Sequence, residues 1–313
     1  MRLMQKMQLC LAIALASAPG WAVVSPVAAV RFSLDNRWVA LAGGETVRIV
    51  SPERNQIALE LPSKLAQVMD AAWSPDSKTL AVGGGDAGRN GGIELWNPDE
   101  RRLVHADNPF RDLVYAVAFA PDGKRLVAAG AEGLIRIIDL AGGQTLGTLT
   151  GHSGPVLCLA WSSDGNWIAS GSADRSIRIW EASGKFVRSL NNHAGAVQAV
   201  IFAPDGQTLF SASSDATIRV WLPGVGRMKR IFRGFGQPVL GLAHVPARQL
   251  LLAGVADGSA RLLNAETGEL VKSFAAEPAA RIPWLHTVAT SQDARWMAWA
   301  DTAGRYRVAR LPE

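Results

Sequence analysis

Two sets of residues near the middle of the chain have the types that nucleophilic catalysis uses. His152, a serine at Ser170 or Ser172, and Asp174 would supply the base, hydroxyl and carboxylate of an acyl-transfer triad. The set returns as His193, Ser211 or Ser213, and Asp215. A triad also needs an exposed nucleophile and donors for an oxyanion, and the sequence marks neither. Two identical active sites in adjacent segments would be odd, whereas a structural part is expected to recur. Trp180 and Trp221 close the two segments. A buried indole N–H requires an acceptor, which a strand hydroxyl can be.

Other chemistry is sparse. His105, His244 and His286 have no second His, Cys or carboxylate at metal-ligand spacing, and no C-x-x-C-H run is present. No metal or cofactor is therefore expected. Gly83–Gly92 (GGGDAGRNGG) could cradle a phosphate through its amides, but no Lys-Ser/Thr follows and no helix pattern opens after it. It reads as a flexible hairpin loop. Of the two cysteines, Cys158 lies within VLCLAW, where a small core residue is expected rather than a reactive thiol. The net charge of +5 is spread along the chain without a Lys/Arg run, so nucleic acid is not indicated.

The elements that would position the two sets are short strands. Pro155–Trp161 and Asn166–Gly171 are apolar runs, and Ser176–Trp180 alternates Ile177 and Ile179 against Arg178. Turns of two to five residues between them argue for consecutive antiparallel hairpins. One such sheet is too small to stand alone and needs neighbours of its kind. The neighbours are marked by a Ser/Ala-Pro-Asp-Gly type of turn. Its anchors are Asp35, Asp76, Asp122, Asp164, Asp205, the degenerate Ala247 and Asp293, at steps of 41 to 46 residues. Seven anchors at that period, with four short strands per unit, predict a seven-bladed propeller. Phe32, Trp73, Phe119, Trp161 and Phe202 hold one place before the turn, which predicts blade-to-blade packing rather than an aromatic ligand box.

Gly151-His152, Asp174 and Trp180, followed by Asn192-His193, Asp215 and Trp221, resemble the WD40 repeat. Glu181 and Leu222 stand where the family's second signature letter, Asp, would be. The resemblance covers about residues 27–313 and is strongest in the fourth and fifth units. It implies an all-β, seven-bladed WD40-like β-propeller with blades of four antiparallel strands. It also implies that His152, Ser170, Asp174 and Trp180, with His193, Ser211, Asp215 and Trp221, form structural networks in which the Asp accepts from the His, the His reaches the hydroxyl, and the hydroxyl meets the indole N–H.

Residues 1–22 read as a secretory signal peptide. Arg2 and Lys6 precede the apolar run Leu9–Ala18, and Gly20-Trp21-Ala22 offers small residues before Val23. About ten apolar residues are too few to span a bilayer. An uncleaved short anchor is the alternative, and Cys10 after Leu9 does not fit a lipoprotein anchor. Residues 23–313 form a single propeller domain with Cys158 as its one cysteine, so no internal disulfide can form. The leader places the mature protein in the periplasm of a Gram-negative bacterium, with secretion as the alternative.

With no catalytic residue marked, function falls to surface loops on a rigid frame. The connections entering each blade share a face with the second-to-third-strand hairpins. On that face fall Arg89, Phe110, Arg111, Asp112, Tyr115, Arg175, Phe235, Gln237, Asp257, Arg281 and Trp284. Arg111, Tyr115, Phe235 and Trp284 are the binding candidates, because Arg and aromatics dominate hot spots. The expected function is a non-catalytic scaffold for protein–protein interaction, an accessory or assembly subunit of an envelope complex, monomeric or within a hetero-complex. An enzyme or cofactor-binding propeller, with quinone or haem in its central channel, is the alternative. Seven blades with three strands from residues 284–311 in the last also predict a short or missing outer strand there.

Overall fold

Ser162 and Asp164 show how the repeat begins to fold. Ser162 Oγ donates to Asp164 Oδ1 at 2.5 Å, the carboxylate accepts the Asn166 amide at 3.0 Å, and the Trp167 amide donates to Ser162 Oγ at 2.9 Å. A serine and an aspartate thus satisfy a turn that reverses the chain between two strands. Ser33–Asp35, Ser74–Asp76 and Ser291–Asp293 build the same turn, each with a 2.6 Å bond. The residue after the aspartate has positive φ in each case: Asn36, Ser77, Gly165 and Ala294 at 64°, 60°, 71° and 55°. Only glycine adopts this without cost, which explains the Asp-Gly form of the anchors.

The computed structural model describes residues 22–23, 26–275 and 284–312. The leader before Ala22 and Arg281 lie outside the described residues. A two-residue strand comes first, β1 (Ala22–Val23). Blade one is β2 (Ala29–Phe32), β3 (Val39–Gly43), β4 (Thr46–Ser51) and β5 (Gln56–Pro62). Blade two is β6 (Gln67–Trp73), β7 (Leu80–Asp86), β8 (Asn90–Asn97) and β9 (Arg102–Phe110). Blade three is β10 (Val114–Phe119), β11 (Arg125–Gly130), β12 (Ile135–Asp139) and β13 (Thr145–Leu149). Blade four is β14 (Val156–Trp161), β15 (Trp167–Ser172), β16 (Ile177–Glu181) and β17 (Phe186–Leu190). Blade five is β18 (Val197–Phe202), β19 (Leu209–Ser213), β20 (Ile218–Leu222) and β21 (Arg227–Phe232). Blade six is β22 (Val239–Val245), β23 (Leu250–Val255), β24 (Ala260–Asn264) and β25 (Leu270–Phe274). Blade seven is β26 (Leu285–Thr290), β27 (Trp296–Asp301) and β28 (Arg305–Arg310), with β1 outside β28.

All neighbours within blades one to six are consecutive and antiparallel, and blade seven alone joins the two ends of the chain, in the order β1-β28-β27-β26. Its outer strand makes two pairs, Ala22 with Tyr306 and Val23 with Arg305. A fourth strand is thus present on blade seven, and its extent to either side of Ala22–Val23 lies outside the described residues. The degenerate sixth anchor, Ala247, sits in a 3-10 turn over Pro246–Arg248.

The core lies between blades rather than within them. One cluster joins Ala40, Val47 and Leu61 of blade one to Trp73, Leu80 and Trp96 of blade two. Another closes the ring, with Ala298, Tyr306 and Val308 of blade seven against Val30, Phe32 and Leu41 of blade one. Trp221 and Trp299 are among the largest fully buried side chains. Such packing holds the first strands of all seven blades around one axis.

One expectation is corrected here. Gly83–Gly92 is not a flexible loop: it lengthens β7 and β8, which pair down to Asp86 and Asn90 around a short turn. The glycines are needed because backbone runs close beside them. A Cβ on Gly84 would lie 1.9 Å from Gln67 O, and one on Gly91 would lie 2.0 Å from Asp112 O. No phosphate cradle results.

Candidate functional site

The residues that resemble a triad are locked away from solvent. His152 Nδ1 lies 2.8 Å from Asp174 Oδ2, and His152 Nε2 lies 2.8 Å from Ser170 Oγ. Trp180 Nε1 donates to the same hydroxyl at 3.0 Å. Blade five repeats this with His193, Asp215, Ser211 and Trp221 at 2.8 Å throughout. Ser170 and Ser211, not Ser172 and Ser213, meet the histidines. Ser172 instead donates to Pro155 O at 2.8 Å and accepts the Asp174 amide at 3.1 Å, which fixes the turn.

Electrostatics set the protonation of each network. Burial opposes charge on Asp174, but hydrogen bonds from Ser176 Oγ, His152 and the Ser176 amide outweigh it and lower its pKa to about 2. Asp215 is lowered to about 2 in the same way by Thr217 and His193. Burial holds both histidines below the ordinary histidine range, against the pull of their aspartates. At neutral pH each imidazole is therefore neutral, donating from Nδ1 to the carboxylate and accepting the serine proton at Nε2. The geometry ties two strands, the turn between them and the entry loop together in each blade. It offers no nucleophile, because Ser170 and Ser211 are fully buried and their lone pairs serve the indoles.

Blade two does the same work with other residues, which sequence reasoning missed. Glu94 on β8 is buried, and its carboxylate accepts Trp96 Nε1 at 2.9 Å, Ser63 Oγ at 2.9 Å and the Lys64 amide at 2.7 Å. The available signal was a lone charge between Ile93 and Leu95, two residues before a strand-ending Trp. In blade six the guanidinium of Arg261 replaces the histidine, 2.5 Å from Asp257 Oδ2.

A second polar tie lies on the inner strands. Asp70 is buried; it accepts Arg31 Nη2 at 2.6 Å and the Val117 amide at 3.1 Å, linking blades one, two and three. Burial raises its pKa although Arg31 opposes this. Thr287 holds the corresponding place in blade seven and accepts the Val30 amide at 3.0 Å. Cys158 holds it in blade four, with Sγ 3.7 Å from Val197 O, and burial pushes its thiol up. Cys158 is no nucleophile.

The loop-face candidates divide. Arg111 is exposed, and its amide donates to Glu132 Oε2 at 3.2 Å. Trp284 is 42% exposed at the start of blade seven, its carbonyl accepting the Thr302 amide. Tyr115 is half-buried at a bulge in β10. Burial, reinforced by Asp112, raises its hydroxyl pKa. Phe235 is a correction. It is 4% exposed, belongs to the core between blades five and six, and lies under Arg261, whose Cζ is 5.7 Å from the ring centroid. Phe110 is likewise buried, beneath Arg136. Phe110 ends β9, paired opposite Gly91, and Phe235 lies in a loop too short to lift a large apolar side chain clear of the neighbouring blade.

Tyr115 has counterparts that were not legible beforehand. The same register shift singles out Met69, Leu157, Gln198, Leu240 and His286 on the inner strands of blades two, four, five, six and seven. All are half-buried, each directly after a buried residue at the start of the strand. With Tyr115 they hold one shared register position, at the start of the inner strands of blades two to seven. The sequence signal was a V-x-small or L-x-small step opening each unit. Among the described residues no group of three His, Cys, Asp or Glu is placed to hold a metal ion, and no helix is long and apolar enough to cross a membrane.

Comparison with known proteins matches residues 113–309 to the family model described as the IFT122 first beta-propeller, and residues 59–97 to the WD domain, G-beta repeat. WD repeat-containing protein 1 of Xenopus tropicalis is 27% identical over 207 residues, 50% of this chain and 34% of that protein. The Bos taurus protein of that name is 30% identical over 142 residues, 43% of this chain and 22% of its own length. An intraflagellar transport protein 122 homolog of Danio rerio is 40% identical over 77 residues, 25% of this chain and 6% of that protein. The chain thus spans about a third or less of the length of these relatives.

Proposed function

As a member of the WD-repeat β-propeller family that the IFT122 first beta-propeller represents, the chain is, we propose, a non-catalytic scaffold that binds a protein partner on its loop face. One observation carries this reading: Arg111 and Trp284 are exposed, and Tyr115 is half-buried, where the chain enters blades three and seven, on a frame whose two His–Asp–Ser–Trp sets are engaged internally. Rigid aromatics and arginines of this kind form hot spots. The test is a pull-down from the native host with Arg111→Ala, Tyr115→Ala and Trp284→Ala, each with an unchanged melting curve. Loss of one partner by these variants supports the assignment. Full retention by the folded triple variant removes the binding site from this face.

We propose further that the protein is exported and serves as an accessory subunit of a periplasmic or envelope complex. The support is the leader sequence alone, Arg2 and Lys6 before Leu9–Ala18 and the Gly20-Trp21-Ala22 step. Amino-terminal sequencing of protein from fractionated cells decides it: Val23 as the first residue is expected, which leaves Val23 opposite Arg305 and removes Ala22 from β1, and Met1 in the cytoplasmic fraction would overturn it.

A further inference from the structure

The chain's positive charge gathers on and around blade five rather than spreading evenly. Residues 183–256 carry eight Lys and Arg against two Asp, a surplus larger than the +5 of the whole chain. Its densest part is β21, where Arg227, Lys229 and Arg230 fall within six residues and Arg233 follows directly. No other outer strand of blades one to six has more than one basic residue. All four side chains are exposed. The strand forms the outer edge of its sheet, and six residues of strand span about 20 Å.

Blade four adds to this row. Arg188 on β17 lies against the turn that opens β21, where a Cβ on Gly226 would meet its Nη1 at 2.7 Å. Its Nε is buried and, among the described residues, has no hydrogen-bond partner. Carboxylates are scarce nearby. Asp215 pairs with Arg219 at 3.5 Å and Glu181 with Lys185 at 3.4 Å. Among the described residues no carboxylate pairs with Arg188, Arg227, Lys229, Arg230 or Arg233. Lys229 acts on Asp205 only through its field, beyond ion-pair distance, and Arg230 donates to the Glu266 carbonyl. Burial and the neighbouring charge of Arg233 lower the Arg219 pKa against the pull of Asp215, so like charges crowd here.

We infer that β21, with Arg188 beside it and Arg233 beyond it, takes an extended acidic segment of a protein partner, whose Asp and Glu side chains meet this row. Arginine clusters read acidic motifs in this way, and complementary charge speeds encounter and fixes register. The surrounding surface separates this partner from other polyanions. Single-stranded nucleic acid needs exposed aromatic rings to stack on, and Phe232 and Phe235 are 3% and 4% exposed. A lipid surface needs a broad apolar face beside the charge, and within residues 224–233 Val225 is the one large apolar side chain that is exposed. The inference rests on the scaffold reading and adds a second contact, on the rim of blade five rather than the loop face.

The test uses the full chain and a fluorescein-labelled peptide, Glu-Val-Glu-Thr-Glu-Val-Glu, read by anisotropy at low salt. A control peptide carries Gln for every Glu. The acidic peptide is expected to bind tighter by about tenfold or more, and to weaken as added salt screens the row. Bound peptide should slow amide exchange in residues 224–233. Arg227→Glu with Arg230→Glu should remove the preference for the acidic peptide. Arg54→Glu with Arg102→Glu, the same charge change at exposed sites on blades one and two, should leave it. Arg227→Gln with Lys229→Gln serves if the double reversal does not fold. Equal binding of the two peptides overturns the proposal, as does equal loss in the two reversed variants, which would mean attraction to net charge alone. Tighter binding of an oligothymidylate or of phosphatidylglycerol vesicles through Arg227 and Arg230 would give the row to nucleic acid or lipid and also overturn it. Tyr115→Ala and Trp284→Ala should leave peptide binding unchanged, so failure of the loop-face reading is seen separately in the pull-down. Loss of peptide binding in those variants would place the peptide on the loop face and reject the rim.

Discussion

The indole of Trp96 donates to the carboxylate of Glu94 at 2.9 Å, from a residue on its own strand. Trp180 and Trp221 instead reach across the ladder to Ser170 and Ser211. The register explains the exchange: Val82 faces Glu94 in blade two, where Ser170 faces Arg178 in blade four. With no hydroxyl on the second strand, the acceptor has moved to the third. What is retained is a buried acceptor for an indole N–H and a link to the incoming loop.

Glu94 should therefore tolerate little. Glu94→Gln keeps an acceptor for Trp96 but turns an amide donor toward the Lys64 N–H, at a cost of about 1–3 kcal/mol. Glu94→Ala orphans Ser63, Lys64 and Trp96 together and should cost more. Urea unfolding curves with unchanged slope provide the measurement.

Asp174→Ala leaves His152, Ser176 and two backbone amides without their acceptor. A loss of about 1–3 kcal/mol is expected, with a lower melting temperature and no specific loss of partner binding. Unchanged stability with abolished binding would reassign the network to recognition.

Stability should fall in two stages on acidification. Burial lowers the pKa of His152 and His193, so the unfolded chain takes up protons more readily than the folded one. Their contribution is complete above the unfolded value, about 6.5, and declines as pH falls through the folded values. Asp174 and Asp215, at about 2 when folded, add a second decline from roughly pH 4 toward 2. Melting temperatures from pH 8 to 3 test this, and His152→Gln with His193→Gln should flatten the upper stage.

Asp70→Ala should cost about 1–3 kcal/mol, chiefly through the stranded Val117 amide. Arg31, whose side chain is 39% exposed, can return to water, so the ion pair itself contributes little. Asp70→Asn retains an acceptor and should lose less. Equal losses in the two variants would show that charge, not the hydrogen bond, holds the three blades.

Phe235→Ala empties a core site and should destabilise by about 3–5 kcal/mol. Trp284→Ala and Arg111→Ala remove exposed side chains and should stay within about 0.5 kcal/mol of the parent. Calorimetry on the three variants separates frame from face.

Local chemistry made most of the fold readable in the chain itself. Asp anchors at repeated spacing, period-two alternation around Arg178 and the His–Asp–Trp spacing of blades four and five each act over a few residues to one repeat, so seven blades and their two best networks follow from them. Distant packing was another matter. Whether Ser170 or Ser172 meets His152 depends on which strand face turns inward once β15 pairs with β16. That Phe235 is core while Trp284 is exposed depends on Arg261 and the adjoining blades, which loop sequence cannot report. Ring closure is the furthest case. Ala22 and Tyr306 meet only after all seven blades have stacked, because their pairing depends on the summed geometry of every blade between them and on no local preference of either residue.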